Sequence, residues 1–432
     1  MKKNNIFLKS TLYLIIGGFI TRMLGFIIRI VYTRIIGVEG VSIISLVMPT
    51  YSMLLNITSF ALPVALAKLI AENKNRSIKI LSNATVIIVL INLIVITVIY
   101  NLSNFIASDL LHSPESKDLI NSMCIVFPII SIGSILKGYY NGKQRTLPYM
   151  ISNVLEQVLR LFLIIIIIPI LYRKSVHLAV KGIILLSIIT ESFSVIILLL
   201  FAPKRIKIKK ENITPDLLIE KDIMKIALPT VAGRIIGNIG YFFEPIILTH
   251  FLLVNSYTKE YILVEYGAYN MYALSILTIP AFLITALSNS IIPEISKHHE
   301  RNDSRMIKKR IKQTIIPTFF IGIVFSIIIL LFRNQFLNLL YNTTKGSEYV
   351  LILAPFFPLF YLESIFYSIL QASNNSKKVM IISLIGVVIK LITLTILCNC
   401  HIGMYAIVLA EIINIICVIA INIIVIKKEK LI

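Results

Sequence analysis

The chain has 432 residues, 57% hydrophobic and only 15% charged, with a mean hydropathy of +0.89. Soluble domains carry about 25% charged residues, so an aqueous globule is excluded by too little polar surface, and a disordered or nucleic-acid-binding arm by too much Ile and Leu. The formal charge of +21 is therefore read first as membrane topology, not as a nucleic-acid partner.

Lys2 and Lys3 precede an apolar run that resumes beyond Arg22 to Ile36 with no small-residue cleavage site, so a retained first membrane helix is expected. A bilayer core takes about 20 helical residues. Twelve stretches qualify, at about 10–36, 41–70, 80–103, 119–140, 148–172, 176–201, 222–250, 262–292, 312–333, 348–371, 377–399 and 401–426. Ile-rich runs such as Ile164 to Ile168 favour strands in water, but in lipid a helix satisfies its own backbone hydrogen bonds and wins. With the N-terminus inside, alternate loops divide Lys and Arg as 29 inside against 8 outside, which predicts both termini on the cytoplasmic side of the membrane.

The spans repeat. Pro49 and Pro63 punctuate the second span and Pro280 and Pro293 the eighth, while Pro128 and Pro358, and Arg160 and Lys390, lie 230 apart. Lys9 and Lys225 are 216 apart, and the loop around Val254 to Glu265 is expected to absorb the difference. Six spans separate the copies, so both have one orientation and the repeat is parallel. The expected fold is an all-α polytopic membrane protein of about 12 transmembrane helices in two parallel-repeat six-helix lobes. Residues 1–202 form the N-terminal lobe, 203–221 a basic cytoplasmic linker and 222–432 the C-terminal lobe. A second basic loop, Lys297 to Lys312, fits anionic phospholipid headgroups.

Ten charged groups remain inside spans: Arg22, Arg29, Arg160, Arg234 and Lys390 against Glu156, Glu191, Glu244, Glu363 and Glu411. Each costs at least about 2.5 kcal/mol at a helix centre, so each pairs or faces water. Arg22 and Arg29 share a face of the first span with Gly18 and Gly25, and guanidinium is well shaped to grip phosphate. Arg234 sits among Gly233, Gly237 and Gly240 of the seventh span. These three arginines and Lys390 are candidate substrate-binding cations. The simpler alternatives are snorkelling for Arg29 and a salt bridge to a neighbouring span for Arg22. Glu244, next to Pro245, is a candidate for a proton or sodium ion, or for a salt bridge. Glu156 and Arg160, at i and i+4, read first as an intrahelical pair.

No catalytic constellation, cofactor motif or Walker loop is present. Cys124, Cys398, Cys400 and Cys417 form no disulfide framework, and the histidines fall at span ends or in loops, where His298 and His299 read as a solvated loop end and not a metal site.

Three runs resemble one family. They are Lys9-Ser-Thr-Leu with Arg22-Met-Leu-Gly25-Phe and Arg34-Ile-Ile-Gly37; Leu62-Pro63-Val-Ala-Leu-Ala-Lys68; and Leu136-Lys-Gly138-Tyr-Tyr-Asn-Gly142-Lys-Gln144 leading to Glu156-Gln157 and Arg160. The chain resembles the stage V sporulation protein B family, the polysaccharide transporter branch of the multidrug/oligosaccharidyl-lipid/polysaccharide exporter superfamily, related to lipid II flippases. The resemblance implies two lobes around a central cavity and alternating-access movement of a polyprenyl-diphosphate-linked saccharide in peptidoglycan, polysaccharide or sporulation chemistry. It carries the family's first-span arginine onto Arg22. The second arginine expected two residues after Phe26 is displaced to Arg29, Ile28 standing in its place, and the second-span arginines have no counterpart between Tyr51 and Phe60. Many relatives have fourteen spans, the last two forming a groove for the lipid tail. The rival readings are an ion-coupled multidrug antiporter of the same fold and a membrane-embedded glycosyl- or acyltransferase.

Overall fold

The computed structural model describes the backbone of residues 2–73, 76–202, 214–301, 303–429 and 431. Most of the expected linker, 203–213, lies outside the described residues, as do Lys74 and Lys430 of the loop cations. Among the described residues the regular elements are all helical.

In chain order they are α1 (Lys2–Ser59), α2 (Leu62–Glu72), α3 (Ser77–Asn104), α4 (Ser116–Gly142), α5 (Thr146–Tyr172), α6 (Val176–Leu200), α7 (Leu217–Val254), α8 (Lys259–Gly267), α9 (Leu274–Leu277), α10 (Ala281–Glu300), α11 (Ser304–Leu331), α12 (Arg333–Tyr341), α13 (Ser347–Leu353), α14 (Phe357–Ala372), α15 (Ser376–Cys398) and α16 (Tyr405–Lys428). Their lipid-ready character is visible on α3, where Leu90, Leu93 and Ile94 are each more than half exposed. Water would not tolerate that band, but acyl chains cover it at no cost.

Among the described residues, ten helical stretches are long and apolar enough to cross a membrane, against twelve expected. Two local events explain the difference. The first two expected spans adjoin within α1, where two helices meet at a kink with no loop between them, so they count as one stretch. Gly37 interrupts α1 with φ 63 and ψ −169, a conformation essentially reserved for glycine. The eighth expected span, 262–292, is fragmented into α8, a π-helical turn at Ala268–Ala273, α9 and α10. Pro280, which has no N–H to extend a helix, stands at the last break.

The chain divides into two compact units, Met1–Ile235 and Ile236–Ile432. The division falls inside α7 because its first turns belong to the first unit's core. Ile223, Ala227 and Val231, four residues apart on one face, are buried with Leu62, Leu66 and Ile70 of α2 and Ile80 and Ala84 of α3. Asp216, just before α7, reinforces the docking. Its carboxylate lies 2.5 Å from Lys79 Nζ, and its N–H donates to Asn83 Oδ1 at 2.7 Å. The Lys79 ammonium holds the Asp216 carboxyl below the usual carboxylate range.

Each unit contains a broken helix satisfied in a parallel way. In the first, Phe60 and Ala61 take positive φ, and the freed Thr58 carbonyl accepts from Ser131 Oγ at 3.0 Å and Asn92 Nδ2 at 3.3 Å. In the second, the Leu277 carbonyl before the Thr278–Pro280 break accepts from Tyr361 Oη at 2.5 Å. This corrects the proline register. Pro63 and Pro280 open the helices after the breaks, so they correspond, at a separation of 217. That separation is 13 short of the 230 of the later pairs, and the longer α10, 20 residues against 11 in α2, takes up nine of those positions.

Candidate functional site

In the first unit, the Tyr13–Arg22 stretch of α1 faces α5 across a cavity of about 260 Å³ lined by Gly17, Gly18, Thr21, Arg22, Tyr149 and Asn153, among others. Gly18 has nothing within 4 Å of where its Cβ would lie, whereas Gly17 is covered by Met150; the polar rim consists of the Arg22 guanidinium, the Thr21 hydroxyl, the Tyr149 phenol and the Asn153 amide. Thr21 spends its own proton on the Gly17 carbonyl at 2.7 Å and keeps lone pairs free. Arg22 is exposed and makes no salt bridge among the described residues. Arg29, two turns on, is half-buried against its surroundings, and Thr33 Oγ1 donates to its backbone carbonyl at 2.8 Å. Arg234 is half-buried on α7. Counted back from the positive-φ residue that ends its own span, Arg22 precedes Gly37 by 15 positions and Arg234 precedes Ser256 by 22. Arg234 thus sits about two turns further from the end of its span than Arg22 does.

Deeper in the same unit lies a closed charge network. Lys137 Nζ is 3.2 Å from Glu156 Oε2 and 2.8 Å from Glu191 Oε1. Arg160 reaches Glu156 Oε1 at 3.3 Å, the expected i, i+4 pair, and donates to Thr190 Oγ1 at 3.0 Å. Two cations meet two carboxylates, which neutralises all four for burial in lipid. Gly133 makes the room: a Cβ there would lie 2.1 Å from Glu191 Oε1. By hydropathy alone Lys137 belongs with the loop cations. It lies instead inside α4 with a side chain only 17% exposed, and nothing local in the sequence marks this, because both partners come from other helices.

The second unit holds a different arrangement. Lys390 Nζ on α15 lies 2.5 Å from Glu244 Oε2 on α7 and 2.6 Å from Glu411 Oε2 on α16. Glu244 is further met by Tyr266 Oη at 3.5 Å, and Asn270 Nδ2 donates to Tyr266 Oη at 3.3 Å and to Tyr241 Oη at 3.2 Å. Asn270 is carried on the π-helical turn, a backbone irregularity that places donors where a regular helix would not. Lys390, Glu244 and Glu411, with Glu363 of α14, line a cavity of about 260 Å³. The sequence predicts Lys390 as a cavity cation with no acid near it along its own helix. It does line a cavity, but its ammonium is held between two carboxylates from distant parts of the chain.

The profile of the polysaccharide biosynthesis protein family matches residues 7–299. The chain belongs to this family. Stage V sporulation protein B of Bacillus subtilis (strain 168) is 32% identical over 394 residues, covering 89% of this chain and 76% of that protein. Lipid II flippase MurJ of the same organism is 23% identical over 417 residues, covering 89% of this chain and 76% of that one. The MatE profile also matches this family member at residues 245–396. Among solved structures, an inward-facing multidrug resistance MATE family transporter of the MOP superfamily shares the fold. Its TM-score is 0.76 at 17% identity, over 95% of this chain and 94% of that one. The family member is thus a multi-pass integral membrane protein with a transporter fold.

Proposed function

We propose that this protein is a flippase that moves a polyprenyl-diphosphate-linked saccharide, of the lipid II kind, across the bacterial cytoplasmic membrane by alternating access. Both termini are cytoplasmic, and residues 1–202 and 222–432 act as the two six-helix lobes joined by the basic linker. The observation that carries this reading is Arg22: an exposed guanidinium lining a cavity beside the open Gly18, with no salt bridge to a carboxylate among the described residues. Guanidinium grips a diphosphate through paired N–H donors. Tyr149 and Asn153 supply a ring face and an amide of the sort that saccharides use. Arg29 and Arg234 are further contacts for the anionic group as it changes depth. The names of two relatives, a sporulation protein and a lipid II flippase, support the same substrate class.

Without an ATP motif, the drive is the membrane potential, an ion gradient or consumption of the substrate. At the start of α11, exposed Arg305, Lys308, Lys309 and Lys312 fall at i, i+3, i+4 and i+7, one stripe opposite buried Ile307 and Ile311. Cations at a helix N-terminus oppose its dipole, so the stripe gains from anionic phospholipid headgroups.

Reconstitution with fluorescent lipid II, scored by its appearance in the opposite leaflet, tests the reading. A charge-assisted hydrogen bond is worth about 1.5–3 kcal/mol, so Arg22→Ala is expected to slow flipping by about 10- to 100-fold. Wild-type rates in Arg22→Ala, together with Glu244→Gln abolishing transport of an amphiphilic cation, would turn the assignment to a multidrug antiporter. The carboxylate surplus beside Lys390 gives that second reading its one specific support.

A further inference from the structure

One end of the second unit gathers tyrosines and carboxylates that belong to neither charge network. Four segments converge there: the turn after α7, α8, the start of α13 and the start of α16. Asn255 Nδ2 donates to the Cys398 carbonyl at 2.6 Å, and Tyr257 Oη to the His401 carbonyl at 3.0 Å. Gly403, at φ +60, makes room for the second contact, because a Cβ there would lie 3.2 Å from Tyr257 Oη. On this braced base Tyr257 stacks against Tyr261, ring centroids 5.4 Å apart and planes 21° from parallel. Tyr349 and Tyr405 meet edge to face at 6.0 Å. Tyr349 Oη donates to Glu265, and Tyr405 Oη to Glu348.

We propose that this cluster is a saccharide-binding platform, on which a pyranose lies against the Tyr261 and Tyr405 rings while its hydroxyls donate to Glu265 and Glu348.

A tyrosine that only anchors a helix at the membrane surface turns its hydroxyl to water. Here the phenol protons of Tyr257, Tyr349 and Tyr405 are spent inside the protein. The ring surfaces are what remains open: Tyr261 is 37% exposed and Tyr405 38%. The carboxylates are equally unusual. The chain carries 42 Lys and Arg against 21 Asp and Glu, yet neither Glu265 nor Glu348 has a salt bridge among the described residues. In each, a phenol engages Oε2 and leaves Oε1 to accept from elsewhere. The cluster therefore offers acceptors and ring faces. A sugar brings the complement, hydroxyl donors around its rim and an apolar C–H face. An ammonium ion is held best by rings that surround it. Tyr257 already covers one face of Tyr261, so the open rings form a shelf and not a cage.

The position suits a headgroup that has crossed. Tyr405 opens α16, and 24 residues further on, ~36 Å at 1.5 Å per residue, Glu429 pairs with Lys378 at the opposite end of the unit. In the proposed orientation the platform faces the outside. Its service to the lipid-linked headgroup rests on the flippase reading; its affinity for a saccharide does not.

Purified full-length protein in nanodiscs is mixed with a water-soluble disaccharide of N-acetylglucosamine, and saturation transfer from the protein to the sugar C–H protons is followed by NMR. Wild type is expected to show transfer. Tyr405→Phe keeps the ring and is expected to keep it, whereas Tyr405→Leu is expected to lose it. Glu348→Gln is expected to weaken binding about tenfold, the size of one lost hydrogen bond to a charged group. Unchanged melting temperatures show that the variants are folded. Lipid II flipping by the same variants identifies the source of the sugar. Slower flipping in Tyr405→Leu assigns the platform to the lipid-linked headgroup, and unchanged flipping assigns it to glycan already outside; both keep the saccharide site. No transfer in wild type, transfer that persists in Tyr405→Leu, or binding of tetramethylammonium without the disaccharide overturns the proposal, the last in favour of an organic-cation site. Wild type that flips lipid II without transfer loses the platform and keeps the flippase reading, and transfer without flipping does the reverse.

Discussion

Lys137 stands inside α4 with its ammonium between Glu156 at 3.2 Å and Glu191 at 2.8 Å, and Glu191 has no second salt bridge among the described residues. Removing one partner of such a buried pair strands the other, at a cost of about 3–5 kcal/mol. Lys137→Met is accordingly expected to lower the melting temperature sharply, and Lys137→Met with Glu191→Gln to recover part of the loss. Melting of the two single variants and the double variant in detergent checks this; purely additive effects would show that the pair is not coupled. The contrast with Glu156 and Arg160 marks the limit of local reading. Their pairing is a matter of helical spacing and is legible from the sequence. The partners of Lys137 and Lys390 are set by how separate helices pack, and no spacing within one helix encodes that.

Among the elements, α1 and α7 behave least like isolated spans. Gly37 holds φ 63 and ψ −169, so a Cβ there is strained whatever room surrounds it. Gly37→Ala is expected to cost about 1–3 kcal/mol. Gly233→Ala, at a helical site with nothing within 4 Å of the new Cβ, gains up to about 1 kcal/mol. Opposite shifts of melting temperature in the two variants are the check. At the start of α7, Lys79 lowers the Asp216 carboxyl in the folded protein, so the folded value lies below the unfolded one. The contact's contribution is complete above the unfolded value, about 3.9, and is lost as pH falls through the lower folded value. Amides of the first turn of α7, corrected for intrinsic exchange, should lose protection below about pH 4 in wild type, with the pH dependence absent in Lys79→Gln. Hydropathy locates these helices well, because lipid demands long apolar runs. It places a boundary at Gly37, between the expected spans 10–36 and 41–70, but misses the division of the eighth span, a backbone event inside a largely apolar run, and it misjudges the proline register because Pro49 lies within α1 without ending it.

For the molecule as a whole, the class and the family are readable from composition and short motifs. The boundary between compact units is not, because α7 enters the first unit through Ile223, Ala227 and Val231, residues that look like any other lipid-facing stripe. That shared helix bears on how the gene could be divided. An inserted protease site between residues 203 and 213 would cut the polypeptide, yet the leading turns of α7 would remain plugged into the upstream piece. The nicked halves should therefore co-purify without a covalent tether, and expression of 1–202 alone should yield an aggregating product that a separately encoded 214–432 rescues.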